Sequence, residues 1–174
     1  MRTKSIIIGI TGVVMAICLF NSCKKDSGSV TYGNIAVMLT DLPATYQQVN
    51  VDIQKVSVHM SGGSWIDLPT KSGVYDLLVL QNGIDTSLVN TTQLPTGKIT
   101  QMRLILGNNN TVVTNNVTYN MTVPSGSETG IKLIGNIVIV ANQTLVVTLD
   151  FNAAASVVET GNNTYQLKPA IQTL

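Results

Sequence analysis

The stretch Val49-Asn50-Val51-Asp52-Ile53-Gln54-Lys55-Val56-Ser57-Val58-His59-Met60 decides the fold. Val49, Val51 and Ile53 share one parity, and apolar residues alternating with polar ones mark a strand with one buried face. Val56, Val58 and Met60 take the other parity. A period of two changes phase only when a residue is inserted, so the stretch predicts one long strand with a β-bulge near Gln54-Lys55. Ser61-Gly62-Gly63-Ser64 then reads as a hairpin turn that returns the chain as Trp65 to Leu68.

Outward from this hairpin the same punctuation recurs. Asn34 to Thr40 reads as a strand closed by Asp41-Leu42-Pro43, and Ala44 to Gln48 as one helical turn. Gly73 to Leu80 reads as a strand whose run Leu77-Leu78-Val79-Leu80 is buried on both faces, while Gln81 to Thr92 is irregular. Leu94-Pro95-Thr96-Gly97 launches a strand from Lys98 to Leu106, and Asn108-Asn109-Asn110 ends it. Thr111 to Val113, Val117 to Val123, Ile131 to Ile134, Asn136 to Val140 and Thr144 to Phe151 complete the series, with Pro124 to Gly130 as a loop. The one helix is Ala153 to Glu159, with Asn152 as N-cap and Gly161 as its stop. Tyr165 to Gln172 is a last strand, which Pro169 demotes to an edge or a bulge. Short strands with turns every 8 to 12 residues predict an all-β, antiparallel Greek-key β-sandwich with one short helix near the C-terminus, a single domain over residues 33 to 174.

Composition agrees. Charged residues make up 11% of the 174, and helix-favouring Glu occurs only at Glu128 and Glu159, so strands and turns are favoured. Six Asn-x-Thr sequons, at Asn90, Asn109, Asn116, Asn120, Asn142 and Asn162, read as Asn-rich turns beside Thr-rich strands. The near-neutral charge lacks the basic footprint that nucleic-acid binding requires, so nucleic acid is excluded as a partner.

The N-terminus carries a different signal. Arg2 and Lys4 precede the 15-residue apolar or small run Ile6 to Phe20, followed by Asn21-Ser22-Cys23. A basic start, a short apolar run and a small residue before the cut make an export signal. The run is shorter than the roughly 20 apolar residues of a spanning helix. Leu19-Phe20-Asn21-Ser22-Cys23 resembles a bacterial lipobox. Residues 1 to 22 are therefore expected to be a lipoprotein signal peptide, Cys23 the lipidated first residue of the mature chain, and residues 23 to 32 the acylated Cys and a short polar tether. The partner so implied is a membrane reached through N-terminal acyl chains, in the cell envelope at the outer membrane. An ordinary secretory leader followed by a coincidental thiol is the competing reading. Of 10 Lys and Arg, Arg2 and Lys4 leave with the leader, so eight remain against nine acidic residues, and Cys23 is the one thiol left. No internal disulfide is then possible, and the domain must rely on its core.

Several segments together resemble the domain of unknown function 4382 family, a set of exported bacterial and archaeal proteins. They are Val37 to Ala44, Val49 to Ile53, Leu94 to Leu104, Val123 to Leu133 and Leu167 to Ile171, spread from about residue 34 to 172. The Leu-Pro-x-Gly segment before a strand is also similar to prealbumin-like and carbohydrate-binding-like sandwiches. The resemblance implies a β-sandwich and transfers no catalytic residue.

Individual residues add little catalysis. His59 is the sole histidine, on the polar parity of its strand, and without a second His or a free Cys a transition-metal site lacks ligands. Asp41, Asp52, Asp76, Asp85 and Asp150 could in principle supply oxygens to calcium, yet no Asp-x-Asp-x-Asp-Gly loop is present, and turn or cap roles are expected. Ser125 to Gly130 is not a Gly-x-Ser-x-Gly elbow and reads as a loop of small residues. Trp65, the only tryptophan, is either a core plug at a strand start or a ligand contact, because sugar-binding sandwiches stack pyranose faces on exposed aromatics. Arg103 is expected to pair with an acid on a neighbouring strand. No cofactor and no metal are expected. The function expected is a membrane-anchored, non-catalytic envelope lipoprotein whose sandwich binds a glycan, a peptide or a protein. A structural subunit joined through the Tyr165 to Gln172 edge, and then a polysaccharide hydrolase, are the alternatives.

Overall fold

In the computed structural model, which describes residues 29–124 and 130–174, the phase slip in the long strand is a bulge at the expected place. The strands among the described residues are β1 (Tyr32–Asp41), β2 (Gln48–Met60), β3 (Trp65–Asp67), β4 (Gly73–Asp76), β5 (Thr86–Pro95), β6 (Gly97–Leu106) and β7 (Thr111–Thr114). β8 (Val117–Thr122), β9 (Ile131–Ile139), β10 (Thr144–Phe151), helix α1 (Ala153–Ser156), β11 (Val157–Gly161), β12 (Thr164–Leu167) and β13 (Ile171–Thr173) follow. The leader, Cys23, most of the tether and residues 125–129 lie outside the described residues.

β2 pairs with β6 with a register shift between Ile53 and Lys55, so Val49, Val51, Ile53, Val56, Val58 and Met60 all face the core despite their change of parity. β2 is the trunk of the larger sheet, ordered β11-β12-β8-β7-β2-β6-β9, with β3 and β4 on its other flank. The smaller sheet is β13-β10-β1-β5. Ile35, Val37 and Leu39 of β1 and Val147, Leu149 and Phe151 of β10 cover the valines of β2 from the opposite side. The all-β sandwich with one short helix is thus present. Its pairing is mixed rather than wholly antiparallel, because β1 runs parallel to β10 and β8 parallel to β12.

Several local expectations change for identifiable reasons. Leu77 to Leu80 forms a 3-10 turn, not strand. The Asp76 carboxylate accepts from the Leu78 N–H at 3.1 Å, and the i, i+3 spacing of Leu77 and Leu80 buries both on one side. Ala44 to Gln48 holds a bend instead of a helical turn, with the Gln47 N–H donating to the Val113 carbonyl. Thr86 to Thr92, expected to be irregular, belongs to β5, and Gly135 sits within β9 without ending it. Asn152 caps α1 as expected, its side chain accepting from the Ala155 N–H at 2.9 Å, but the helix stops at Ser156. β-Branched Val157 and Val158 then pair with β12, and Gly161 turns that hairpin with φ +100°.

The expected last strand divides at Pro169, which marks a change of sheet. β12 lies between β11 and β8, so it is not an edge, and β13 crosses to β10. Turns at Asn115-Asn116, Asn142 and Asn162-Asn163 adopt positive φ, the left-handed region that asparagine tolerates best after glycine.

The strand directions give the sandwich two distinct ends. At the N-terminal end Tyr32, the Ser61–Ser64 turn, Thr96 and residues 140–143 meet, joined by Thr96 N–H to Thr31 O at 2.9 Å and Asn142 N–H to Tyr32 O at 3.0 Å. Asp41, the Leu77 to Asp85 segment, Gly107 to Asn110 and α1 form the far end. There the Thr40 hydroxyl donates to the carbonyls of Leu80 and Ile84.

Candidate functional site

Trp65 stands on the solvent face of the large sheet. The Ser61–Ser64 turn, closed by Gly63 N–H to Met60 O at 3.0 Å with Gly62 at φ +71°, sets β3 in register with β2. His59 faces Trp65, and Ser57 faces Asp67. On the other flank of β2, Arg103 lies opposite Ser57 and Gln101 opposite His59. The register and the alternation of side chains therefore bring Trp65, His59, Arg103 and Asp67 onto one surface.

Among the described residues the expected charge pair of Arg103 does not form. Asp67 already accepts from the Ser57 hydroxyl at 2.7 Å and from Lys55 Nζ at 2.7 Å, and the β9 register neighbour of Arg103 is Lys132. Lys55 first, and Ser57 second, hold the Asp67 carboxyl below its usual range. The Arg103 guanidinium instead lies over the Trp65 indole, its central carbon 3.9 Å from the ring centroid. His59 completes the cluster edge-on to the indole, with centroids 5.2 Å apart and planes at 61°. The His59 Nδ1 sits 3.0 Å from the Thr100 hydroxyl. Trp65 is thus no core plug, and His59 is half-buried rather than exposed. Arg103 Nε is buried and has no hydrogen-bond partner among the described residues. A cation over an indole is worth about 0.5–1 kcal/mol at an exposed site.

The five aspartates do not gather as a set. Asp76 caps the 3-10 turn. Asp52 is buried beneath the Asn108 to Asn110 loop, where its carboxylate accepts from the Asn109 N–H at 3.1 Å and from the Gln54 side chain. Asn110 returns the contact by accepting from the Asp52 N–H at 2.9 Å. Only Asp41, Asp150 and the exposed Asp85 line one cleft, of about 390 Å³, at the far end. Asp41 accepts from the Ala153 N–H at 2.8 Å, which fixes the start of α1. One oxygen of Asp150 accepts from the Gln172 side chain at 3.0 Å, while the other is buried with no partner among the described residues. Burial first, and then the charge of Asp150, push the Asp41 carboxyl up to about 6, against the opposing hydrogen bonds from Ala153 and Gln81. Among the described residues no group of three or more His, Cys, Asp or Glu is placed to hold a metal ion. Both acids fasten this end, Asp41 at the first amide of α1 and Asp150 at Gln172 of β13.

A family model described as a domain of unknown function (DUF4382) matches residues 32–169. The chain belongs to the DUF4382 family. The match runs from the first residue of β1 to Pro169, so Trp65, Arg103, Asp41 and Asp150 all lie within the DUF4382 domain. No curated protein and no solved structure matches the chain.

The Trp65–Arg103 stack was the element hidden from sequence. Half of it was accessible, because a turn centred on Gly62-Gly63 sets residue 59 opposite residue 65. The other half depends on the register of β6 against β2 across a bulge, which no local pattern specifies.

Proposed function

We propose that this DUF4382 domain is a lipid-anchored, non-catalytic binding module of the bacterial envelope, and that the surface around Trp65 takes a glycan. The observation that carries the reading is the placement of an indole, a guanidinium and an imidazole together on the solvent face of a sheet, where none of them fills the core. An aromatic plate supplies the apolar surface on which a sugar ring stacks, and convergent polar groups fix its orientation. Arg103 supports this with a guanidinium laid over the indole, and Gln101 and Asp67 add polar groups on the same face. A peptide or protein segment is the other class of ligand such a surface accepts.

The anchor is Cys23, acylated after removal of residues 1 to 22, and the two or three chains of a bacterial lipoprotein exceed what stable attachment needs. Envelope location rests on the leader sequence, and the sandwich needs no disulfide to stand there.

A glycan array with wild type, Trp65→Ala and Arg103→Gln tests the binding reading. Binding by wild type that both variants lose supports it, whereas equal binding by all three, or binding by none, overturns a Trp65 glycan site. Cys23→Ser should move the protein from the membrane to the aqueous fraction, and continued membrane retention would refute the anchor.

A further inference from the structure

We propose that the N-terminal end of the sandwich rests directly on the phospholipid surface, so that the domain makes a second, non-covalent membrane contact beside its acylated cysteine. The inference builds on the Cys23 anchor proposed above. Four large apolar residues are exposed at this end: Val30 at 58%, Tyr32 at 44%, Val138 at 54% and Val140 at 46%. Tyr32 and the turn after Val140 are neighbours in space. The Tyr32 carbonyl accepts from the Asn142 N–H at 3.0 Å, and Gly33 lies so close to the turn that an added Cβ would meet the Val140 carbonyl oxygen at 2.2 Å. Val138 stands in register with Lys98, which is also exposed.

Apolar side chains scattered singly over a surface need no explanation. The charge pattern sets this group apart. Residues 29–34, 60–64, 94–99 and 136–144, which build the N-terminal end, include no Asp or Glu, and Lys98 is their only charged residue. The far end also exposes Leu42, Val79 and Ile84, but it places them among Asp41, Asp76, Asp85 and Asp150. An anionic lipid surface repels the carboxylate-bearing end and accepts the other, where tyrosine and lysine are the side chains that settle at headgroup level.

The chain path agrees. Val30 follows Cys23 by seven residues, which span at most about 25 Å when fully extended, and Lys24, Lys25 and Asp26 lie within that span, a net charge of one positive. An anchor on so short a lead brings the acid-free end to the bilayer first. It also leaves the cleft of Asp41 and Asp150 pointing away from the membrane.

The test uses the full chain, matured with its own leader and reconstituted into vesicles of phosphatidylethanolamine and phosphatidylglycerol. A nitroxide is attached at Val140→Cys or, in a second sample, at Ile84→Cys. Both positions are exposed, and thermal midpoints equal to that of wild type establish that each variant is folded. The expected result is a Val140 label several-fold more accessible to lipid-dissolved oxygen than to an aqueous nickel chelate, with the reverse order at Ile84. Equal aqueous exposure of both labels on vesicle-bound protein overturns the docking while leaving the anchor intact. Recovery of wild type from the aqueous phase overturns the anchor and the docking with it.

Discussion

The two ends of the sandwich are closed by loops from the same two sheets, yet they solve the problem of closure in opposite ways. At the far end buried carboxylates do the fastening: Asp41 holds the first amide of α1, Asp52 holds the Asn108 to Asn110 loop, and Asp150 holds Gln172 of β13. At the N-terminal end closure relies on backbone contact and small residues. Gly33 passes against the Val140 carbonyl, and Thr31 and Thr96 share a hydroxyl contact at 2.7 Å. Charge inside a loop cluster fixes it at the cost of desolvation. Close backbone packing fixes it without any charge, and so leaves a surface that can approach lipid.

Substitutions that exchange the two strategies should separate them. The largest effect is expected at Gly33→Ala, because the new methyl would lie 2.2 Å from the Val140 carbonyl oxygen and 2.8 Å from the Ile139 side chain. Overpacking against backbone costs about 3 kcal/mol, read as a lower urea midpoint. A change too small to measure would show that the N-terminal end is loosely closed. At the far end Asp52→Ala should cost about 2 kcal/mol, since it removes a charged acceptor and leaves the Asn109 amide without its partner. Hydrogen exchange should then quicken at Asn109 first.

Asp41 gives a smaller effect with a definite sign. Its carboxyl is raised from 3.8 to about 6 in the folded protein, so between those values the native state binds more protons than the unfolded chain. The stability linked to Asp41 is therefore full below pH 3.8 and is lost as pH rises through about 6. Each pKa unit corresponds to about 1.4 kcal/mol before solvent screening at the cleft mouth reduces it, so an effect of about 1 kcal/mol is expected. Asp41→Asn keeps an acceptor for Ala153 and should flatten the denaturation midpoint between pH 4 and 6, while stabilising the protein at pH 7. A slope unchanged by this substitution would assign the raised value to another group. Asp67, lowered by Lys55 and Ser57, pulls in the opposite sense, but it is exposed and its share is small. The least effect on folding belongs to Arg103→Gln, at about 0.5 kcal/mol for a half-buried cation over an indole at the surface of the sheet. A much larger loss would mean that the Trp65 cluster is structural after all.

How much of this was legible depends on the range of the interaction that settles each residue. The bulge in β2 shows as a change of parity because each alternate residue reports its own burial, and the β2–β3 hairpin shows because its turn residues are adjacent. The apolar run Leu77 to Leu80 fits strand and 3-10 turn equally well, and a cap from Asp76 decides between them. Pro169 announced an interruption, but whether the chain would resume as an edge or change sheet depended on where β10 and β8 lay. The parallel pairing of β1 with β10 joins residues about a hundred positions apart, for which no periodicity speaks. The site divides the same way. Trp65 stood out as a lone indole after a glycine turn, whereas Arg103 reached it only through the register of a third strand.

Trp65 is the only tryptophan, so its fluorescence reports on the proposed binding surface without a label. The direct measurement is its emission during titration with an acidic glycan, polygalacturonate, and a neutral one, dextran. The expected result is a saturable change with at least one of them that Arg103→Gln abolishes. An unchanged spectrum with both, or the same response in Arg103→Gln as in wild type, would contradict a glycan surface at Trp65.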